Sequence, residues 1–157
     1  MRTAIEPVAI DELATVLPLW REAMEYHARL VPFFRPAGRG ELAWQKYIAV
    51  SMAKGEGMLF VARTARETVG FICGQVQSLP PVFVPGRLGY ISDLYVKPPY
   101  RRHGLGRLLY LALSDWFRQK GVTALDIHVY LANPEGVAFW RKMGFSPYAE
   151  KRRCELG

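Results

Sequence analysis

Between Arg101 and Arg107 the chain reads Arg-Arg-His-Gly-Leu-Gly-Arg, three arginines and a histidine around two glycines. Directly upstream, Tyr90, Ile91, Leu94, Tyr95 and Val96 form a strand-like run that Pro98-Pro99 stops. Directly downstream, Leu105, Leu108, Leu109, Ala112 and Trp116 recur at spacings of three and four, one face of a helix. A basic glycine loop therefore joins a strand to the first turn of a helix. Backbone N–H groups there have no intrahelical acceptor, and the helix dipole adds partial positive charge. Glycines let a bulky anion approach the backbone, and the arginines add full charges. This is the chemistry of a phosphate cradle. Gly104-Leu105-Gly106 lacks the third glycine of the dinucleotide fingerprint, and no Gly-Lys-Ser/Thr follows for a P-loop. His27, His103, His128, Cys73 and Cys154 show no metal-ligand spacing, and neither cysteine lies in a nucleophilic motif. Metal chemistry and a thiol nucleophile are not expected.

The pattern extends on both sides. Leu94-Tyr95-Val96, a proline turn, Arg101-x-x-Gly104-x-Gly106 and an amphipathic helix together resemble the acetyl-CoA pyrophosphate motif of the GNAT superfamily of N-acetyltransferases. Downstream, Asn133-Pro134-Glu135-Gly136-Val137-Ala138-Phe139-Trp140-Arg141-Lys142-Met143-Gly144-Phe145 is similar to that family's N-x-x-(A/G)-x-x-(F/L)-Y-x-x-x-G-F signature. The resemblance implies an acetyl-CoA-dependent N-acetyltransferase in which a primary amine attacks the thioester directly. It implies that the strand carrying Leu94 to Val96 splays from the strand carrying Leu125 to Tyr130, with the pantetheine arm in the gap. The cosubstrate contacts implied are Leu94, Tyr95, Val96, Arg101, Arg102, His103, Gly104, Leu105, Gly106, Arg107, Asn133 and Trp140. Some relatives dimerise, so a homodimer is admitted; nothing in the residues fixes the oligomeric state.

Direct attack needs proximity, an acceptor for the amine's proton and, at most, an acid for the sulfur. Two positions depart from the family pattern. Trp140 stands where the family often has a tyrosine, and Ser92 where relatives often have an acid. Indole N–H is a donor only and far too weak an acid to give up its proton. The catalytic candidates are Asp93, beside the splay, and Tyr130, at the end of the other splayed strand. Each has a structural alternative, a hydrogen-bonding role for Asp93 and packing for Tyr130. Asn133 reads either as a ligand contact or as the cap of the helix opened by Pro134. On the acceptor side, the resemblance points to Phe33, Phe34 and Arg35, which read equally as a loop pinned to the core. A non-catalytic acyl-CoA-binding sensor or interaction module is the alternative function.

Stepping outward, 157 residues make one domain with a real core. Asp11 is expected to cap a helix carrying Leu13, Val16, Leu17, Trp20, Met24 and Ala28, with Pro18 kinking or splitting it. A second helix is expected with Leu42, Tyr47, Ile48 and Met52 in its pattern. Residues 58–64 and 68–76 read as a hairpin, residues 123–130 as a further strand, and the tail from Phe145 as a last one. The expected order is βααβββαβαβ, an α/β fold: a mixed, mostly antiparallel sheet of about six to seven strands with helices on both faces. No apolar run approaches the ~20 residues of a bilayer span, so no membrane partner is expected. Two distant cysteines and no signal-like N-terminus suggest a cytoplasmic setting. The net charge of +7 is scattered apart from Lys151-Arg152-Arg153. It suits a polyanionic small molecule better than nucleic acid.

Overall fold

Alternating apolar side chains build a sheet with two covered faces. A computed structural model describes residues 2–157. Strands β1 (Ala4–Pro7), β2 (Gly57–Arg63), β3 (Thr68–Ser78), β4 (Arg87–Val96) and β5 (Leu125–Ile127) lie side by side in that order. The first three contacts are antiparallel and the last, β4 with β5, is parallel. In β2 and β3, Leu59, Val61, Phe71 and Cys73 face one side. There they meet a 3₁₀ segment (Ile10–Val16), α1 (Leu17–Leu30) and α2 (Gly40–Ala53) through Leu13, Trp20, Ala23 and Ile48. Phe60, Ala62 and Ile72 face the other side, under α3 (Leu105–Gln119) and its Leu109, Leu113, Trp116 and Phe117. Burying a side chain such as Leu113 or Phe117 is worth about 1.5–3 kcal/mol each. The last helix, α4 (Pro134–Lys142), packs against the second of these cores through Trp140.

Three expectations are corrected. The sheet has five strands, because the tail from Phe145 forms none. Residues 146–157 hold Pro147 and the charged run Glu150-Lys151-Arg152-Arg153, are exposed throughout and lack an alternating apolar face; Tyr148 donates instead to Asp126 Oδ2 at 2.6 Å. The strand expected over 123–130 is reduced to Leu125–Ile127, where it pairs with β4. The first helix is not capped by Asp11: a 3₁₀ turn precedes α1, its N-cap is Ala9, and Pro18 sits in the first turn of α1. There proline's missing N–H costs nothing. In α2 only Ile48 of the expected apolar pattern is buried, while Leu42 and Tyr47 lie exposed. Among the described residues, no helix is long and apolar enough to cross a membrane, and no group of three or more His, Cys, Asp or Glu could hold a metal.

Candidate active site

The site begins with a fault in the sheet. On the β3–β4 ladder Cys73 faces Asp93 and Gly74 faces Ile91, so Ser92 is an extra residue. Such a bulge bends its strand and sharpens the twist. The Ser92 hydroxyl fills the fault locally, accepting from Gln75 Nε2 at 3.3 Å and donating to the Cys73 carbonyl at 3.4 Å. On the other side, β4 pairs with β5 only from Gly89 to Ile91. From Asp93 to Val96 the strand keeps its β3 partner and, among the described residues, has none on the β5 side. The unpaired edge includes Leu94, Tyr95 and Val96.

Asp93 points from the bulge toward the α1–α2 face, where its Oδ2 accepts from Trp44 Nε1 at 3.2 Å. Burial pushes its carboxyl above the usual carboxylate range, against the smaller opposing pull of Ser92, Trp44 and His27. The neighbouring Cys73 thiol is pushed well up by burial first and the Asp93 charge second, which makes it a poor nucleophile. Tyr90, two residues before the bulge, is also raised, mainly by burial. Its hydroxyl lies 2.7 Å from His128 Nδ1, a hydrogen bond whose direction follows the ring's tautomer. His128 is thereby held by Tyr90.

At its far end β4 runs into the cradle. A 3₁₀ turn, Pro98–Tyr100, is anchored by Glu67, which accepts from Lys97 Nζ at 2.6 Å and from the Tyr100 hydroxyl at 2.8 Å. Arg102 and Gly104 then adopt left-handed conformations, φ +66° and +82°. Gly104 is the N-cap of α3, no side chain caps the helix, and the first bond runs from Leu108 N–H to the Gly104 carbonyl. The N–H groups of Leu105, Gly106 and Arg107 are thus left for a ligand. A Cβ on Gly104 would meet nothing within 4 Å, so the space before the helix is open. Arg102, His103 and Arg107 stand exposed around it, whereas the Leu105 side chain is buried in the core. An anion of phosphate type fits this arrangement.

Gly106 is small for a different reason. A Cβ there would come within 3.2 Å of the Phe139 ring, so it sets how closely α4 approaches α3. Trp140 packs between Phe139, Phe145 and Tyr110, at 4.9, 5.1 and 5.9 Å between ring centroids. Arg101 turns away from the cradle: its Nε donates to the Val96 carbonyl, NH1 pairs with Glu135, and the guanidinium lies over Tyr26 and Tyr95. The Leu94 side chain is partly buried in the α3 core and those of Tyr95 and Val96 are buried, so this stretch offers a ligand its backbone.

The acceptor side gathers around α1. Asn133 caps α4, its Oδ1 accepting from Gly136 N–H at 3.1 Å and from the Tyr26 hydroxyl at 3.4 Å. Tyr130 lies edge-on to Phe34 at 5.8 Å and close to His27 at 6.0 Å. Phe34 also packs on His27 at 5.8 Å, while exposed Phe33 carries Arg153 over its ring and Arg35 faces solvent. Phe34 and Tyr130 therefore meet around His27, while Asp93 is bound to Trp44 on the α1–α2 face and Phe33 and Arg35 are exposed. Trp44 and His27 are the neighbours of the candidates Asp93 and Tyr130 that sequence reasoning did not name as site residues. For His27 a signal existed: Trp20, Ala23 and His27 follow the helical spacing of the buried face.

An open strand edge thus leads into a helix N-terminus that no side chain caps. The chain belongs to the acetyltransferase (GNAT) family, whose sequence model matches residues 18–145. Its fold is similar to that of a Clostridium acetobutylicum protein described as a predicted acetyltransferase and solved with acetyl-CoA: TM-score 0.83, 14% identity, covering 99% of this chain and 97% of that one. A similar likeness holds for aminoglycoside N-acetyltransferase AAC(6')-Iy in complex with CoA: TM-score 0.73, 17% identity, covering 99% and 95%. In sequence, 103 residues are 36% identical to probable N-acetyltransferase 14 of Danio rerio, covering 66% of this chain and 35% of the relative. Another 76-residue match is 33% identical to L-ornithine N5-acetyltransferase NATA1 of Arabidopsis thaliana, covering 48% and 33%. The chain spans about a third of the length of these two curated relatives.

Proposed function

We propose that this chain transfers an acetyl group from acetyl-CoA to a primary amine by direct attack within a ternary complex. One observation carries the reading: the β4–β5 ladder ends at Ile91 while β4 runs on to Val96 and straight into the cradle. Unpartnered strand backbone in a cleft calls for hydrogen-bonding groups from a ligand, and the pantetheine amides have that chemistry. The N–H groups of Leu105, Gly106 and Arg107 would take the pyrophosphate, with Arg102, His103 and Arg107 adding charge. Acetyl-CoA, when bound, supplies the activated acyl group and a good leaving group. The chain's own part is to align the amine, exclude water and manage protons. Asp93 is the charge toward which the amine's proton is drawn, and Tyr130 carries a hydroxyl on the facing segment, where it can donate to the departing sulfur. The packing of Trp140 into the α3–α4 aromatic cluster supports a structural role for it.

The test is a calorimetric titration of acetyl-CoA into the protein, beside a folded Gly104→Glu/Gly106→Glu variant. It is followed by thiol release with lysine, spermidine, kanamycin and a tripeptide bearing a free amino terminus. Micromolar binding that the variant loses, with turnover of one amine, is the expected result. No binding by the folded wild type would sink the assignment. Binding without turnover of any amine favours the sensor reading, which the absence of an acidic hydroxyl at Trp140 also favours.

A further inference from the structure

His27 is the imidazole that packs against Phe34 and Tyr130, and its surroundings determine which nitrogen is basic. Its Nδ1 lies 2.8 Å from the Ala23 carbonyl, one helical turn back on α1. A carbonyl oxygen only accepts, so Nδ1 must carry a proton and, in the neutral ring, Nε2 presents a lone pair. The ring is half-buried between Tyr26, Phe34 and Tyr130, at 5.6, 5.8 and 6.0 Å. Those contacts fix the plane of the ring from three elements: α1, the loop after it and the segment after β5. Asp93 feels the His27 charge from β4. The other titratable groups facing the ring are the phenols of Tyr26 and Tyr130.

Resting on the transferase reading above, we infer that His27 Nε2 is the general base that deprotonates the acceptor amine. The acceptor enters as an ammonium carrying three N–H protons. One passes to Nε2; the nitrogen forms a bond to the acyl carbon as the carbon–sulfur bond breaks. The second proton goes to the thiolate, giving the thiol, and the third stays on the amide nitrogen. The imidazolium returns its proton to solvent.

The test compares wild type, His27→Ala, His27→Gln and His27→Asn with the best acceptor of the amine screen, and the same proteins by acetyl-CoA calorimetry and ¹⁵N NMR of the imidazole. His27→Ala is expected to lower kcat/KM by about 10²-fold or more at pH 8 with unchanged acetyl-CoA affinity. The loss of rate at acid pH should change in that variant, also when measured on an Asp93→Asn background. Added imidazole should restore part of the rate, whereas the Gln and Asn variants should not. The NMR spectrum should show a proton on Nδ1 and none on Nε2 at pH 8. A rate for His27→Ala within about threefold of wild type, well short of a general base's share, overturns the inference alone. So does full rescue by Gln or Asn, which have no basic nitrogen, or a proton found on Nε2. A wild type that binds acetyl-CoA and acetylates none of the amines overturns the transferase reading and this inference with it.

Discussion

At the scale of single residues, Asp93 is a carboxyl whose burial raises its pKa. A carboxylate removed from water destabilises the fold where it is ionised. Because its folded pKa is raised, the stabilising contribution of the protonated form is complete below the unfolded pKa and is lost as pH rises through the folded one. Asp93→Asn keeps an oxygen for Trp44 Nε1 and removes the charge. Its melting temperature should exceed that of wild type at pH 8, and the gap should close as pH falls toward the ordinary carboxylate range. Its transfer rate should fall by about 10²-fold or more. Thermal melts across pH beside thiol-release rates check both halves; a variant less stable than wild type at pH 8 would show that the ionised carboxylate is a net support of the fold. Asp93 was singled out in the sequence by its place beside the expected splay. Its indole partner was not, because Trp44 and Asp93 are separated by 49 positions and meet only when α2 lies on the sheet.

Among elements, the decisive contact is α4 on α3. The two glycines of the cradle look alike in sequence and do different jobs. Gly104 is demanded by backbone conformation, with open space where a side chain would go, while Gly106 is demanded by a neighbour. Gly106→Val forces an isopropyl group against Phe139, and overpacking of this kind costs about 1–3 kcal/mol. It should lower the melting temperature and weaken acetyl-CoA binding, and a second substitution, Phe139→Ala, should recover part of the stability by making room. Gly104→Ala, with no steric neighbour, should gain nothing from Phe139→Ala. A double-mutant cycle on thermal stability reads this coupling; no coupling between positions 106 and 139 would refute the packing account. The motif spacing revealed both glycines, and only the fold separated their roles.

For the whole molecule, ligand and charge act together. If acetyl-CoA binds only the folded chain, a concentration 100 times its Kd adds about 2.7 kcal/mol, a rise of roughly 5–10 °C for a chain of this size. Part of that rise should fade as salt screens the cradle's arginines. Scanning calorimetry with and without acetyl-CoA at two ionic strengths measures it; a melting temperature indifferent to saturating acetyl-CoA contradicts the reading. The strand–cradle–helix unit and the α4 motif were readable along the chain, because each is built from neighbours in sequence whose periodicity and backbone demands are local. The chain order of elements was readable for the same reason, up to the charged tail that forms no strand. What only the tertiary structure decided is pairing. Ser92 becomes a bulge, β5 stops after three residues, Arg101 is taken up by Val96 and Glu135, and His27 meets Tyr130. Each of those outcomes depends on a partner far away in sequence, so no spacing or propensity along the chain encodes it directly; packing two helices over a splayed sheet does.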